Sequence, residues 1–324
     1  VANAKPSTRV AMSLLLCTWN LGCKDLDGQM PKEGDFEWLG KMFKETQPEV
    51  VALGIQELHP DLLPKLLEDV QKVWRDVNGG ELQATAEHCD TYLPLLLFQA
   101  MTSKVEVAPL HFTFGKHKVC SKGCVAAHFD HHGLPLCIAN AHLEAGHGKS
   151  HARNEMFAQI ASKFPTPGSN SLLFVLGDLN YRLEGKKPFT EPTKATPVEQ
   201  ICQVFLAEFD EAVAKCQTGK ASELQDRCQL RLSRGDASCF EHFEEAEVRF
   251  QPTYKRVKAS ESDVKEGIPR FDHDQPRMPG WCDRILWRRA SDVEVKVLDY
   301  CSVESADYSD HRPVCAVLQV QRRG

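Results

Sequence analysis

The 324-residue sequence has no apolar run near the roughly 20 residues that a membrane-spanning helix needs. That disfavours an integral helical membrane protein. No basic stretch followed by an apolar core opens the chain at Val1, so a secretory leader is not expected. The first residue is not methionine, and the expectation is an excised domain whose targeting modules lie elsewhere. There is no excess of positive charge either. The 39 lysines and arginines face 45 aspartates and glutamates, for a formal charge of −6. Duplex nucleic acid is therefore not the expected partner, although a local basic pocket is compatible with this balance. The 13 cysteines lack the regular spacing of a disulfide framework. Cys17, Cys137 and Cys315 sit inside apolar runs, which fits reduced thiols in a cytoplasmic protein. Internal repeats and low-complexity linkers are absent, so one domain over residues 1–324 is expected.

What is present is ordinary globular composition, 42% hydrophobic and 26% charged, enough for a sizeable core. Strand-like runs at 13–18, 50–55, 135–139, 172–176, 284–287 and 314–320 alternate with helical patterns. A further apolar run, 93–98, reads as a buried strand. Asp35 is placed to cap a helix carrying Phe36, Leu39 and Phe43. Leu62, Leu63, Leu66, Leu67, Val70, Val73 and Trp74 form a second helical stripe, and Phe157, Ile160, Ala161 and Phe164 a third. Thr196-Pro197-Val198-Glu199 offers an N-cap, a first-turn proline and a capping-box glutamate. It predicts a helix that continues through Ile201, Val204, Phe205 and Phe209. Residues 258–275 read as a long surface loop. The pattern predicts one α/β domain with mostly antiparallel strands in two packed sheets, covered by helices.

Polar clusters stand at the strand ends. Asn20, Gln56-Glu57, Asn140 with His142, and Asp178 with Asn180, Tyr181 and Arg182 follow strands. Asp283 and Asp310-His311 precede them. Antiparallel pairing brings the start of one strand beside the end of its neighbour, so all six clusters are expected on one edge. The residue types suit phosphoryl chemistry. Glu57 and Asn20 offer hard oxygens to Mg²⁺, which keeps several waters and substrate oxygens. Asp178 is suited to activate or orient water, and Asn180 to hold a phosphate oxygen. His142 and His311 can donate to charge developing on the phosphoryl group, with Asp283 orienting His311. Tyr181, Arg182, Lys122 and Lys255 are candidates to grip other phosphates.

The stretch Phe174-Val175-Leu176-Gly177-Asp178-Leu179-Asn180-Tyr181-Arg182-Leu183 resembles the first signature of the inositol polyphosphate 5-phosphatases. Pro279-Gly280-Trp281-Cys282-Asp283-Arg284-Ile285-Leu286-Trp287 resembles the second. Supporting matches are Thr18-Trp19-Asn20, Gly54-Ile55-Gln56-Glu57, Asn140-Ala141-His142-Leu143, Arg153-Asn154, Phe250-Gln251-Pro252-Thr253-Tyr254-Lys255 and Ser309-Asp310-His311-Arg312-Pro313-Val314. The resemblance implies a four-layer α/β/β/α sandwich like that of deoxyribonuclease I, and Mg²⁺-dependent attack of water on a 5-phosphate. It implies Asn20 and Glu57 near the metal, and Asp178, Asn180, Asp283, Asp310 and His311 in catalysis, with His142 a further catalytic candidate. It associates Tyr181, Arg182 and Lys255 with a neighbouring phosphate, and Lys122, Asn140, Arg153 and Asn154 are further candidates around the substrate. The implied partner is a phosphoinositide or soluble inositol polyphosphate, met by a monomeric cytoplasmic domain in peripheral contact with anionic membrane. Ser121-Lys122-Gly123-Cys124 departs from the family's usual Asn-Lys-Gly-Gly.

Competing readings stand beside these. A nucleic-acid phosphodiesterase on the same fold is one, and a catalytically dead binding module is another. Cys120, Cys124, His128 and His132 have metal-like spacing, but 125–129 reads as a strand. Residues four apart on a strand stand too far apart to close a tetrahedral site, so no zinc is expected from that set. Lys186-Lys187 and Lys255-Arg256-Val257-Lys258 are either solvated surface or a means of attracting anionic membrane.

Overall fold

In the computed structural model of the protein, the described residues are 11–23, 31, 33–78, 83–88, 93–99, 108–113, 122–163, 171–193, 195–236, 238–258 and 260–323. Among the described residues, eleven strands form two sheets. They are β1 (Met12–Cys23), β2 (Val50–Leu58), β3 (Gln83–His88), β4 (Pro94–Gln99), β5 (Ala108–Thr113), β6 (Gly123–His131), β7 (Leu134–His142), β8 (Leu172–Asp178), β9 (Asp283–Arg288), β10 (Val293–Ser302) and β11 (Val314–Arg322). The first sheet runs β10-β11-β1-β2-β4-β3 and the second β5-β6-β7-β8-β9. Only β1–β2 and β7–β8 pair in parallel; the other pairings are antiparallel. Six α-helices accompany them: α1 (Glu37–Thr46), α2 (Leu63–Asn78), α3 (Ser150–Lys163), α4 (Gln203–Gln217), α5 (Gln229–Asp236) and α6 (Glu261–Glu266).

Side-chain alternation along the strands builds the layers. Leu14, Leu16, Val50 and Ala52 of the first sheet pack between the sheets against Ile138, Phe174 and Leu176 of the second. Their neighbours Leu15, Cys17, Val51 and Leu53 face outward onto Leu39, Phe43, Leu66, Val70 and Trp74 of α1 and α2. On the far side, Cys137, Ala139, Leu173 and Val175 pack on Phe157 and Ile160 of α3 and Phe205 and Phe209 of α4. This is the expected four-layer sandwich. Among the described residues, no helix is long and apolar enough to cross a membrane.

Several local expectations are corrected. Asp35 does not cap α1: a 3-10 turn over Glu33–Phe36 precedes the helix, and Phe36 occupies the cap position without a side-chain bond. Thr196-Pro197-Val198-Glu199 opens a single 3-10 turn, Val198–Gln200, rather than the helix, which begins at Gln203. The Thr196 hydroxyl is used locally, accepting from the Thr193 N–H at 2.9 Å. Val204, assigned to the apolar face, is exposed. The stretch 258–275 is not structureless. Ser260 and Asp263 cap α6 reciprocally, and Phe271 is buried and bridged to Arg256. Phe164 and Cys120 lie outside the described residues. Among the described residues, Cys124 and His128 do stand on a strand, β6, as the spacing argument required.

Candidate active site

The carboxyl ends of β1, β2, β7 and β8 meet the amino end of β9 and the loop before β11 along one edge. Asp178, the last residue of β8, is at the centre and almost fully buried. Its Oδ2 accepts from Asn20 Nδ2 at 2.9 Å, and its Oδ1 accepts from the Asn180 backbone N–H at 3.0 Å. His142 Nε2 stands 3.3 Å from the same Oδ2 and 3.8 Å from Glu57 Oε1. His311 Nε2 lies 3.8 Å from Asp178 Oδ2 on another side. Asn20, His142 and His311 thus converge on the Asp178 carboxylate, while Glu57 joins through His142 and Asp283 through His311. The loop segments carry the backbone freedom this needs. Asn180 adopts φ +58 and Glu57 φ +59, a region that asparagine tolerates and glutamate rarely adopts.

His311 is held from both faces. Its Nδ1 lies 2.8 Å from Asp283 Oδ2, which also accepts from the Thr253 hydroxyl at 2.6 Å. The Tyr254 ring packs against the imidazole, with centroids 4.6 Å apart. Trp19 Nε1 donates to the His311 carbonyl at 3.2 Å, and Ser309 Oγ accepts from the His311 N–H while donating to the Asn20 carbonyl. Thr253, Ser309 and Trp19 were not singled out from sequence as site residues. Their signal was their place inside the motifs that carry the chemistry.

Burial and charge decide the protonation states. Burial opposes the charged form of His311, but Asp283 and Asp178 outweigh it and push the imidazole up to about 9. Burial likewise opposes ionisation of Asp178, yet His311 and His142 hold its carboxyl well below the usual range. Burial and the neighbouring Lys122 ammonium lower His142, which favours a neutral ring. Lys122 Nζ contacts His142 Nε2 directly. At neutral pH the centre therefore holds an anionic Asp178, a cationic His311 and a neutral His142.

The phosphate-gripping candidates separate into two groups. Arg182 is buried, its Nη2 donates to Asn180 Oδ1 at 2.8 Å, and its guanidinium lies over the Tyr254 ring at 3.9 Å. Its Nη1 has no protein partner, an orphan buried donor of the kind an anion would satisfy. Lys255 Nζ is bonded to Asp272 Oδ2 at 2.6 Å.

The other group is structural. Asn140 is fully buried and uses its whole amide inside the protein. Its Nδ2 donates to the Ile55 and Pro94 carbonyls, both at 2.8 Å, and its Oδ1 accepts from Gln56 Nε2 at 2.7 Å. Arg153 is equally buried, donating to the Glu144 and Gly146 carbonyls and to Gln229 Oε1. Tyr181 is in the core, with its hydroxyl donating to Asn154 Oδ1 at 2.6 Å. Asn140, Arg153 and Tyr181 thus bond within the walls, and Asn154 accepts from the Tyr181 hydroxyl through its Oδ1. Asp310 is half-buried, and its carbonyl accepts from the Arg256 N–H. Its carboxylate adds to the field that raises His311.

The basic groups are also partly consumed. Lys186 pairs with Glu211, Lys255 with Asp272, and buried Arg256 with Glu304. In the stretch 255–258, Lys255 and Arg256 are thus paired, while Lys258 is exposed.

The donor chemistry was tested for a divalent metal. Glu57, 3.8 Å from His142, and Asn20, bonded to Asp178 through its Nδ2, flank the centre and carry hard oxygens of the kind that Mg²⁺ or Ca²⁺ takes. Asn20 Oδ1 accepts one bond, from the Gly22 N–H at 3.0 Å, leaving a lone pair. Asp178, Asp283 and His311 also lie within mutual ligand distance, all ligand atoms within 4.8 Å. Within that set His311 Nδ1 and Asp283 Oδ2 lie 2.8 Å apart, and the same oxygen accepts from the Thr253 hydroxyl.

The model of the endonuclease/exonuclease/phosphatase family 2 matches residues 17–317. The chain belongs to this family. Among curated family relatives, the mouse type II inositol 1,4,5-trisphosphate 5-phosphatase is 28% identical over 327 residues. That match covers 93% of this chain and 29% of the relative, so the chain spans under a third of the relative's length. A solved structure of the synaptojanin inositol polyphosphate 5-phosphatase domain, in complex with inositol (1,4)-bisphosphate and calcium ion, superposes with a TM-score of 0.73. It is 22% identical, with 97% of this chain and 86% of that chain covered. A Cimex nitrophorin in a ferrous NO complex superposes nearly as well, at 0.70 and 17% identity, covering 96% of this chain and 99% of that one. The fold of this family therefore serves unrelated chemistry, and function has to be argued from the site.

Proposed function

We propose that the chain is a phosphomonoesterase that removes the 5-phosphate from a phosphoinositide or soluble inositol polyphosphate by direct attack of water. The carrying observation is the geometry at one point: Asp178 lies within 4 Å of His311, which Asp283 braces from its other nitrogen. Phosphoryl transfer asks for positioning and electrostatic stabilisation more than covalent chemistry. Asp178 orients the water and accepts its proton. His311 is already protonated, so it serves as donor to the phosphoryl oxygens and not as the base. Asn180 and neutral His142 line the same centre. A divalent metal, Mg²⁺ by the hardness of its ligands, would be held by Glu57 and Asn20. When bound, it would supply positive charge to the phosphoryl oxygens. Arg182, beside Asn180, and Lys255, paired with Asp272, are the candidates to grip a neighbouring phosphate of the ring. The relatives' names support the 5-position and the inositol phosphate class. The same reading makes the chain a monomeric catalytic domain working in the cytoplasm at the membrane surface.

The test is phosphate release from a panel of inositol phosphates and phosphoinositides, with Mg²⁺ and with chelator, and mass spectrometry to locate the lost phosphate. Metal-dependent loss of the 5-phosphate is expected. Release from none of them, with cleavage of DNA instead, would establish the phosphodiesterase reading; headgroup binding without turnover would establish the dead module.

Two further results are expected. The rate holds from neutral pH up to about 9 and then falls about tenfold per unit as His311 loses its proton. Asp178 is held low, so it contributes no acid limb down to its ordinary value of about 4. An alkaline limb centred near 6.5, the ordinary histidine value, would remove the imidazolium role. Lys255→Ala lowers kcat/KM by about 10-fold or more on substrates bearing a 4-phosphate, the scale of a charged hydrogen bond. The Asp272 carboxylate left without its partner adds repulsion. Substrates without that phosphate change little, and an equal loss on both would count against the assignment.

A further inference from the structure

The edge opposite the active site carries a second cluster of ligand-type side chains. β6 and β7 are joined by a tight turn in which His132 and Gly133 have φ +52 and +77, with Asp130 Oδ1 accepting from the Gly133 N–H at 2.8 Å. This geometry presents His131 and His132 side by side, their ring centroids 4.3 Å apart. Facing them from the other sheet is Glu49, the residue before β2. Both Nε2 atoms converge on one oxygen: His131 at 3.4 Å and His132 at 3.2 Å from Glu49 Oε2. All three ligand atoms lie within 4.8 Å of one another.

These contacts are at or beyond the long end of ordinary N–H···O hydrogen bonds, about 2.7–3.2 Å. They do match another figure. Zinc–nitrogen and zinc–oxygen bonds near 2.05 Å in a tetrahedron give ligand–ligand edges of about 3.3 Å. The surroundings prepare the ligands. Glu49 Oε1 accepts from the Ser13 N–H at 3.2 Å, while the Glu49 N–H donates to Ser13 Oγ at 3.1 Å. This fixes the carboxylate with Oε2 toward the histidines, as an outer-shell partner does. His131 is buried against the end of the sheet, with its Nε2 toward Glu49. His132 is half-open, so a cation can enter.

We infer that Glu49, His131 and His132 form a binding site for a zinc-class transition-metal cation, with water in the fourth position. Two imidazoles and one carboxylate suit Zn²⁺ or Co²⁺ and suit poorly the hard Mg²⁺ of the catalytic edge. The site differs from the set considered from sequence, since His132 alone belongs to both. A cation here would join the first sheet, through Glu49, to the second, through the β6–β7 turn. It lies eight residues along β2 from Glu57, on the order of 26 Å at the usual strand rise.

The test titrates Co²⁺ into metal-stripped protein kept in excess Mg²⁺, following visible absorption and melting temperature. Stoichiometric binding is expected, with tetrahedral cobalt bands, no thiolate-to-cobalt charge transfer and a raised Tm, because the cation binds only the folded chain. Glu49→Gln and His132→Asn should each weaken binding by about 10-fold or more and abolish the Tm shift. Asparagine tolerates the left-handed conformation at 132, so that variant keeps the turn. Absence of binding, thiolate bands, or spectra unchanged in both variants would overturn the assignment.

Discussion

Asp178→Asn lowers kcat for phosphate release by about 10³–10⁴-fold while the protein stays folded, the upper range for removing a positioned acid–base group. The substituted amide keeps the shape of the carboxylate and can still accept from Asn20 or from the Asn180 N–H. It cannot accept a proton from water, and it carries no charge. The second loss compounds the first. His311 is raised to about 9 by Asp283 and Asp178 together, so removing one anion moves it back toward neutrality and weakens it as a donor. Stability should move little, since the variant no longer buries this charge but also loses its attraction to His311. Circular dichroism and steady-state kinetics on the same preparation check both halves. A kcat within tenfold of the wild type would mean that another group manages the water.

Gly177→Ala destabilises the fold by about 4 kcal/mol or more, a size reserved for a few named mechanisms. Gly177 lies one residue before Asp178 at φ +148, where side chains are rarely accommodated. A Cβ there would stand 1.8 Å from the Ala141 carbonyl oxygen and 2.8 Å from its nitrogen. Those are backbone atoms of β7, paired directly with β8, so no side chain can swing aside. The melting temperature should drop by about 10 °C or the chain should fail to accumulate. A shift of less than about 2 °C would show that the two strands can part without cost.

How much of this was legible beforehand depended on what each element rests upon. Strands β1, β2, β4, β7, β8, β9 and β11 were visible because their apolar runs are buried in the sandwich. β10 was overlooked, although Val293-Glu294-Val295-Lys296-Val297 alternates as a half-exposed edge strand should. Helix starts misled, because the residues of a strong cap at Thr196 were spent on a local turn. At the site, motif spacing located the chemistry, and the six clusters do share an edge. Motifs alone could not separate a residue that faces substrate from one that supports it. Arg182 and Arg153 look alike in sequence. The difference lies in their partners: Arg153 donates to the Glu144 and Gly146 carbonyls and to Gln229 within the wall, whereas Arg182 donates to Asn180 beside Asp178 and lies over the Tyr254 ring. That distinction is three-dimensional bookkeeping of hydrogen bonds, which no spacing encodes.

The amide of Asn140 has a mechanical consequence. Asn20 and Glu57 ride on one sheet, while His142 and Asp178 ride on the other, so the catalytic centre is two half-sites held face to face. Apolar packing between sheets is non-directional and tolerates sliding. A slip of one strand residue, about 3.3 Å, would exceed the whole 2.9 Å span from Asn20 to Asp178. Asn140 reaches across from β7 to the Ile55 and Pro94 carbonyls and to Gln56, where Gly54 leaves it room. It acts as a dowel between two plates, setting their alignment to a hydrogen-bond length, and so governs how accurately the halves meet without itself touching the reaction.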